Sequence, residues 1–237
     1  MALAGSGAIC IWNDITADAR ADFYAWHLEE HIAERLAIPG FLRARRYCAL
    51  AAGTGPEFFT LYETATSSVT TSAAYVTRLN APSAWTTRLT PAFSHTSRAV
   101  AEVASSHGVG PGGFLATLRI TLSTAAKRKA VTAWLTREKA LPAWAKKPMI
   151  TGAHFCLTDL QGSGIQTTES RARGGGLVAP DGVILIEGCE LKAVATMARD
   201  VVAGVFAHLA MPPALDIYHL EHIRSAVLPT ATPASHS

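Results

Sequence analysis

The feature that most constrains this chain is that its order of elements occurs twice. GAICIWND, residues 7–14, is a short apolar run that predicts a buried strand. From Asp18 to about Ala37 the apolar positions Ala21, Ala25, Leu28, Ile32 and Leu36 step by three or four, as one stripe of a helix does. Thr16 or Asp18 can cap that helix, and Pro39-Gly40 stops it. FLRARRYCAL and EFFTLYE read as strands joined through AAGTGP. A helix is expected over about 68–79, a loop or short helix over APSAWTTRLTPAF, and a strand in HTSRAVAEVA. GVGPGG at 108–113 reads as a linker, and the order then returns. GFLATLRITL is a strand, residues 124–140 a helix, MITGAHFCLTDL and GVILIEGCE strands, 191–209 a helix, and ALDIYHLEHI a closing strand.

Single positions repeat as well. Adding 108 takes Thr16 to Thr124, Trp26 to Trp134, Tyr47 to Phe155 and Cys48 to Cys156, and LYE at 61–63 matches LIE at 185–187 across an insertion. That insertion, QGSGIQTTESRARGGGLVAPD, is expected to be a flexible hairpin loop. A β-α-β-β-α-β unit covers one face of its sheet with helices and leaves the other bare. A second copy supplies the cover. The expected fold class is therefore α+β: two tandem ferredoxin-like repeats whose antiparallel sheets pack face to face as an α/β barrel within one chain. The expected divisions are a first repeat at 1–107, a linker at 108–112, a diverged second repeat at 113–226 and a disordered tail at 227–237.

Composition removes several classes of function. A net charge of +3 with 16% charged residues and no long basic run argues against a nucleic-acid partner. No apolar run is long enough for a membrane span, and the N-terminus lacks the pattern of a signal peptide, so a cytoplasmic location is expected. Cys10, Cys48, Cys156 and Cys189 form no CxxC pair and are expected as buried reduced thiols at strands or strand ends. In YHLEHIR, His219 and Glu221 would share one strand face while His222 takes the other, and no third ligand has suitable spacing, so no metal is expected. RARGGG lacks the strand-to-helix context of a phosphate loop.

The polar chemistry concentrates in FYAWHLEEHIAERLAIPGFLRARRY. On a wheel of about 100° per residue centred on Leu28 and Ile32, Arg35, Tyr24 and His31 lie on or beside the buried face, within about 60° of Leu28. His27, at about 100°, falls at its rim or on the surface, and Trp26 points away. A histidine in an apolar cavity suits proton transfer, because its ordinary pKa of about 6.5 lies close to neutrality. An arginine beside it, Arg35 or Arg46, can hold an enolate or carboxylate. His31, Arg46 and Arg35 are therefore the candidate catalytic residues. Tyr24, His27, Tyr47, Trp85 and His95 are the candidate substrate-binding ones. Arg45 and Arg46 alternate on a strand, so one of them faces away from the site. The offset of 108 puts Leu135, Lys139 and His154 opposite His27, His31 and Arg46, so the first repeat is expected to hold the site and the second to complete the barrel.

The helix with Trp26 and His31, followed by Pro39-Gly40 and the strand with Arg45, Arg46 and Tyr47, resembles the EthD-like branch of the dimeric α/β-barrel superfamily over residues 7–104. The resemblance implies a pocket between helices and sheet. The superfamily includes cofactor-free monooxygenases, cyclases, isomerases and haem enzymes. The leading expectation is an enzyme of cofactor-independent acid/base chemistry, an isomerase, cyclase or lyase, acting on a small hydrophobic aromatic or carbonyl metabolite, as a monomer or homodimer. The alternatives are an oxidoreductase or monooxygenase, cofactor-free or with haem on a histidine such as His31, and a non-catalytic small-ligand-binding accessory protein.

Overall fold

The structure, a computed structural model, describes residues 3–50, 55–122, 124–137, 140–159, 163, 179–206 and 212–227. Most of the expected insertion loop and all but the first residue of the expected tail lie outside the described residues.

Eight strands close into an antiparallel barrel in the order β1-β3-β2-β8-β5-β7-β6-β4. They are β1 (Gly7–Ile15), β2 (Phe41–Ala49), β3 (Phe58–Thr64), β4 (Phe93–Gly108), β5 (Phe114–Ile120), β6 (Ile150–Thr158), β7 (Gly182–Gly188) and β8 (Ala214–Ser225). Within each half the spatial order is fourth, first, third, second, as the β-α-β-β-α-β reading requires. The halves join at two seams, β2 with β8 and β4 with β6.

Helices cover the outside. In the first half these are α1 (Arg20–Trp26), a π-helical turn (His27–His31), α2 (Ile32–Leu36), α3 (Ala73–Asn80) and α4 (Ala84–Leu89). In the second half they are α5 (Ala125–Arg137), α6 (Ala140–Trp144) and α7 (Leu191–Val205). The near-continuous apolar strands follow from this layering, because both faces are buried. Ala8, Cys10 and Trp12 of β1 turn into the lumen with Phe59, Leu115, Leu185 and Tyr218, while Ile9 packs outward with Ile32, Phe41 and Tyr62. The lumen is filled by side chains, as an eight-stranded barrel allows.

Three expectations change. The long helix is interrupted by the π turn, and its buried face follows the apolar spacing after that turn, at Ile32 and Leu36, but not before it. Leu28 is 36% exposed, whereas Phe23, Trp26 and His27 are buried. The strand register between halves also differs by one. Arg45 and His154 both lie opposite the leucine of the next strand, Leu61 and Leu185, so the offset on β2 and β6 is 109. Since a shift of one residue exchanges the two faces of a strand, Arg45 corresponds to His154, Arg46 to Phe155 and Tyr47 to Cys156. Trp134 is 37% exposed, and the neighbouring Leu135 is buried. Cys10, Cys48 and Cys156 are buried free thiols, but Cys189 is exposed, contrary to its expected burial.

Candidate functional site

Pro39 and Gly40 end the first helical segment. Gly40 has φ +94°, and a Cβ there would lie 2.6 Å from Val69 Cγ2, so glycine suits both the turn and the contact. The chain then enters β2, whose alternation separates the two arginines. Arg45 points into the lumen and Arg46 into the layer between the sheet and α1.

The outward-facing set gathers at the seam of β2 and β8. Arg46 Nε donates to Glu221 Oε2 at 3.0 Å, and its Nη1 lies 3.5 Å from His27 Nδ1. Its guanidinium sits 4.5 Å from the Tyr24 ring centroid. Tyr24 Oη donates to Glu221 Oε1 at 2.8 Å. Burial, and then this bond to a carboxylate, push the Tyr24 phenol up to about 12. The His27 and His31 rings face one another at 5.7 Å, and Trp26 packs 4.1 Å from His31. His27, His31, Arg35 and Arg46 are each at most 5% exposed. Toward solvent the set continues through His219, whose Nε2 is 3.9 Å from Glu221. His222 lies opposite Arg46 in the ladder, and burial together with Arg46 and Arg224 holds its pKa below the usual imidazole value. Arg20, paired with Glu57, flanks Tyr24.

Of the sequence-derived candidates, the fold brings Arg46, His27 and Tyr24 into contact and sets His31 beside His27. Arg35 is buried one helical turn after His31. Three others lie elsewhere. Tyr47 is inside the lumen. Trp85 donates to Asp22 Oδ1 at 2.9 Å on the outer helices. His95 pairs with Asp14 at 2.8 Å with its side chain 79% exposed. His27 is buried within the set, not at its rim. Sequence reasoning set Glu221 aside as part of a failed metal motif. Its signal was a carboxylate flanked by two histidines in the closing strand. Among the described residues, no three His, Cys, Asp or Glu side chains group as a metal site requires.

A second polar group occupies the lumen. Arg45, fully buried, meets Glu63 at 2.9 Å and Glu187 at 2.6 Å, and donates to Tyr47 Oη at 2.9 Å. His154 Nε2 lies 3.2 Å from Glu187, and its Nδ1 is 2.9 Å from Ser106 Oγ. Burial would raise the Glu187 carboxyl, but the Arg45 charge and His154 outweigh it and bring it down to about 2. The LYE and LIE match foreshadowed this group, as it places a charged residue in each of two apolar strands.

No family model and no curated protein sequence matches the chain. Solved structures do. An anthrone oxidase-like protein superposes with TM-score 0.59 at 12% identity, covering 95% of this chain and 96% of its own. A monooxygenase-like protein from Lactobacillus acidophilus does so at 0.56 and 8% identity, covering 93% and 97%. Chlorite dismutase from Candidatus Nitrospira defluvii, in complex with imidazole, gives 0.53 and 11%, covering 90% and 91%. At such identities the likeness establishes the fold alone. The strand order and these superpositions together give the chain the fold of the dimeric α/β-barrel superfamily, with the barrel closed inside one polypeptide.

Proposed function

We propose that the protein is an enzyme that removes a proton from a small, enolisable aromatic or carbonyl compound at the β2/β8 seam. The observation that carries this reading is the buried Arg46 guanidinium, placed 3.5 Å from a ring nitrogen of His27 and walled by Tyr24. An imidazole beside a fixed guanidinium provides a base and a stabiliser for the oxyanion that forms as the proton leaves. His27 is the base in contact with Arg46, and His31 is its acid/base partner behind it.

The same enolate serves two outcomes. Reprotonation at another carbon gives isomerase chemistry, or cyclase chemistry where the enolate carbon instead attacks a carbonyl of the same molecule, whose oxygen then takes the proton. Reaction with O2 gives an oxidation, of the kind that the names of the anthrone oxidase-like and monooxygenase-like structures suggest. A haem on His31 suits these residues poorly, because the rings of Trp26, His27 and Tyr62 pack around that imidazole.

Anthrone, incubated in D2O, tests the reading. The wild type should speed exchange at its acidic carbon, and an oxygen electrode separates reprotonation from oxidation. His27→Ala and His31→Ala should each lower the exchange rate by about 10²-fold or more, as loss of a positioned base does. Unchanged exchange in both variants overturns the assignment.

A further inference from the structure

The two seams are equivalent in register, and their difference isolates Glu221. At the β2/β8 seam Arg46 faces His222 and Tyr47 faces Leu220, so Glu221 is the extra residue of a β-bulge. At the β4/β6 seam Phe155 faces Ser105 and Cys156 faces Val103, so Ala104 is the extra residue of a matching bulge. Phe155 is the counterpart of Arg46, and Ala104 that of Glu221. One seam closes with Ala104 packed into the apolar layer around Phe155, and the other with an ion pair. Barrel closure therefore does not require a charge at this position. Burying an ion pair where an apolar pair serves is rarely a gain in stability.

We propose that Glu221 is a specificity residue. It occupies the anion position on Arg46, so that the site accepts neutral, ionisable ligands and turns away carboxylates and phosphates of the same shape. This rests on the seam being the ligand site proposed above. Arg46 Nε and the Tyr24 hydroxyl both end on the Glu221 carboxylate, and Arg20 is already matched by Glu57. An entering carboxylate would find no unmatched cation among these groups and would meet a second negative charge. A neutral phenol or ketone meets aromatic rings without that repulsion, and the charge it develops as its proton departs falls on the Nη1 side of Arg46, beside His27, while Glu221 holds the Nε side. The bulge belongs to the second half, so the site is built from both halves of the chain.

The test compares 1-naphthol and 1-naphthoate, equal in ring shape and different in charge, by calorimetry on the full chain. Wild type should bind 1-naphthol at least tenfold more tightly than 1-naphthoate. Glu221→Gln should raise 1-naphthoate affinity at least tenfold, and adding Arg46→Met should abolish that gain. Glu221→Ala, which copies the residue at the other seam, is the second variant should the glutamine protein fold poorly. Wild-type preference for 1-naphthoate, or no gain in either Glu221 variant, overturns the proposal. If wild type binds 1-naphthol but the variants show no gain, the specificity role fails and the ligand site stands. If the variants gain 1-naphthoate while anthrone exchange is absent, the charge filter stands and the proposed reaction fails. If neither probe binds any variant, the seam is not a ligand site and both readings fall.

Discussion

Single residues decide where charge can live in this barrel. Glu187 is ionised in the lumen only because Arg45 and His154 face it, which is why its carboxyl sits near 2 instead of the ordinary 4.5. A depressed carboxyl stabilises the fold above the unfolded-state value and loses that contribution as pH falls through the folded one. The Glu187 contribution should thus be constant above about pH 5.5 and decline between about 4.5 and 2, with on the order of 3 kcal/mol linked to this one group. Chemical denaturation across that range checks it. Glu187→Gln should unfold at lower denaturant at pH 7, by about 2–3 kcal/mol, since Arg45 keeps Glu63 but loses its shorter ion pair, and should have a shallower acid slope. An identical slope in the variant would assign the acid transition to other carboxylates. The lumen arginine was legible only as one of two alternating neighbours. Sequence pattern places a residue on a face, but the register that decides which face requires both partner strands.

At the scale of elements, the π turn explains why the wheel misplaced the site. On an unbroken helix of about 100° per residue, the buried Phe23, Trp26 and His27 centre near Phe23, whereas His31, Ile32 and Arg35 centre about 120° away. The wide turn removes roughly one residue of rotation and brings both groups onto one face. Periodicity counts residues at a constant angle, so a single wide turn is invisible to it. The existence, type and order of nearly all elements were readable, because strands and helices there keep a constant period. Deleting the exposed Leu28 should turn this segment into a continuous helix with both buried faces still in phase. Deleting Ala33 from α2 should throw Arg35 and Leu36 out of phase. We expect the first deletion to lower Tm by only a few degrees, and the second to cost about 2–5 kcal/mol, comparable with emptying a core position. Calorimetric scans of the two proteins make the comparison, and equal losses would remove the turn as the cause.

For the whole molecule, the equivalence of the seams predicts what each half does alone. β4 and β8 hold the same place, so two copies of residues 1–112 can pair β2 with β4 twice and close a barrel. The lumen of that pair would hold two Arg45 and two Glu63, each Glu63 also held by the partly exposed Arg43, so no carboxylate there lacks a cation. Two copies of residues 113–237 would bring two Glu187 and two His154 together without arginine, so each Glu187 would lose the guanidinium that lies 2.6 Å from it here. Size-exclusion chromatography with light scattering should find the first fragment dimeric and the second poorly folded, with folding restored on mixing. A dimeric, stable second fragment at pH 7 would contradict the charge balance. A barrel made from two identical chains carries every substitution twice, once on each side of its axis. Here each is written once. Glutamate at one bulge and alanine at the other can therefore drift apart, one edge free to explore chemistry while its twin keeps the cylinder shut.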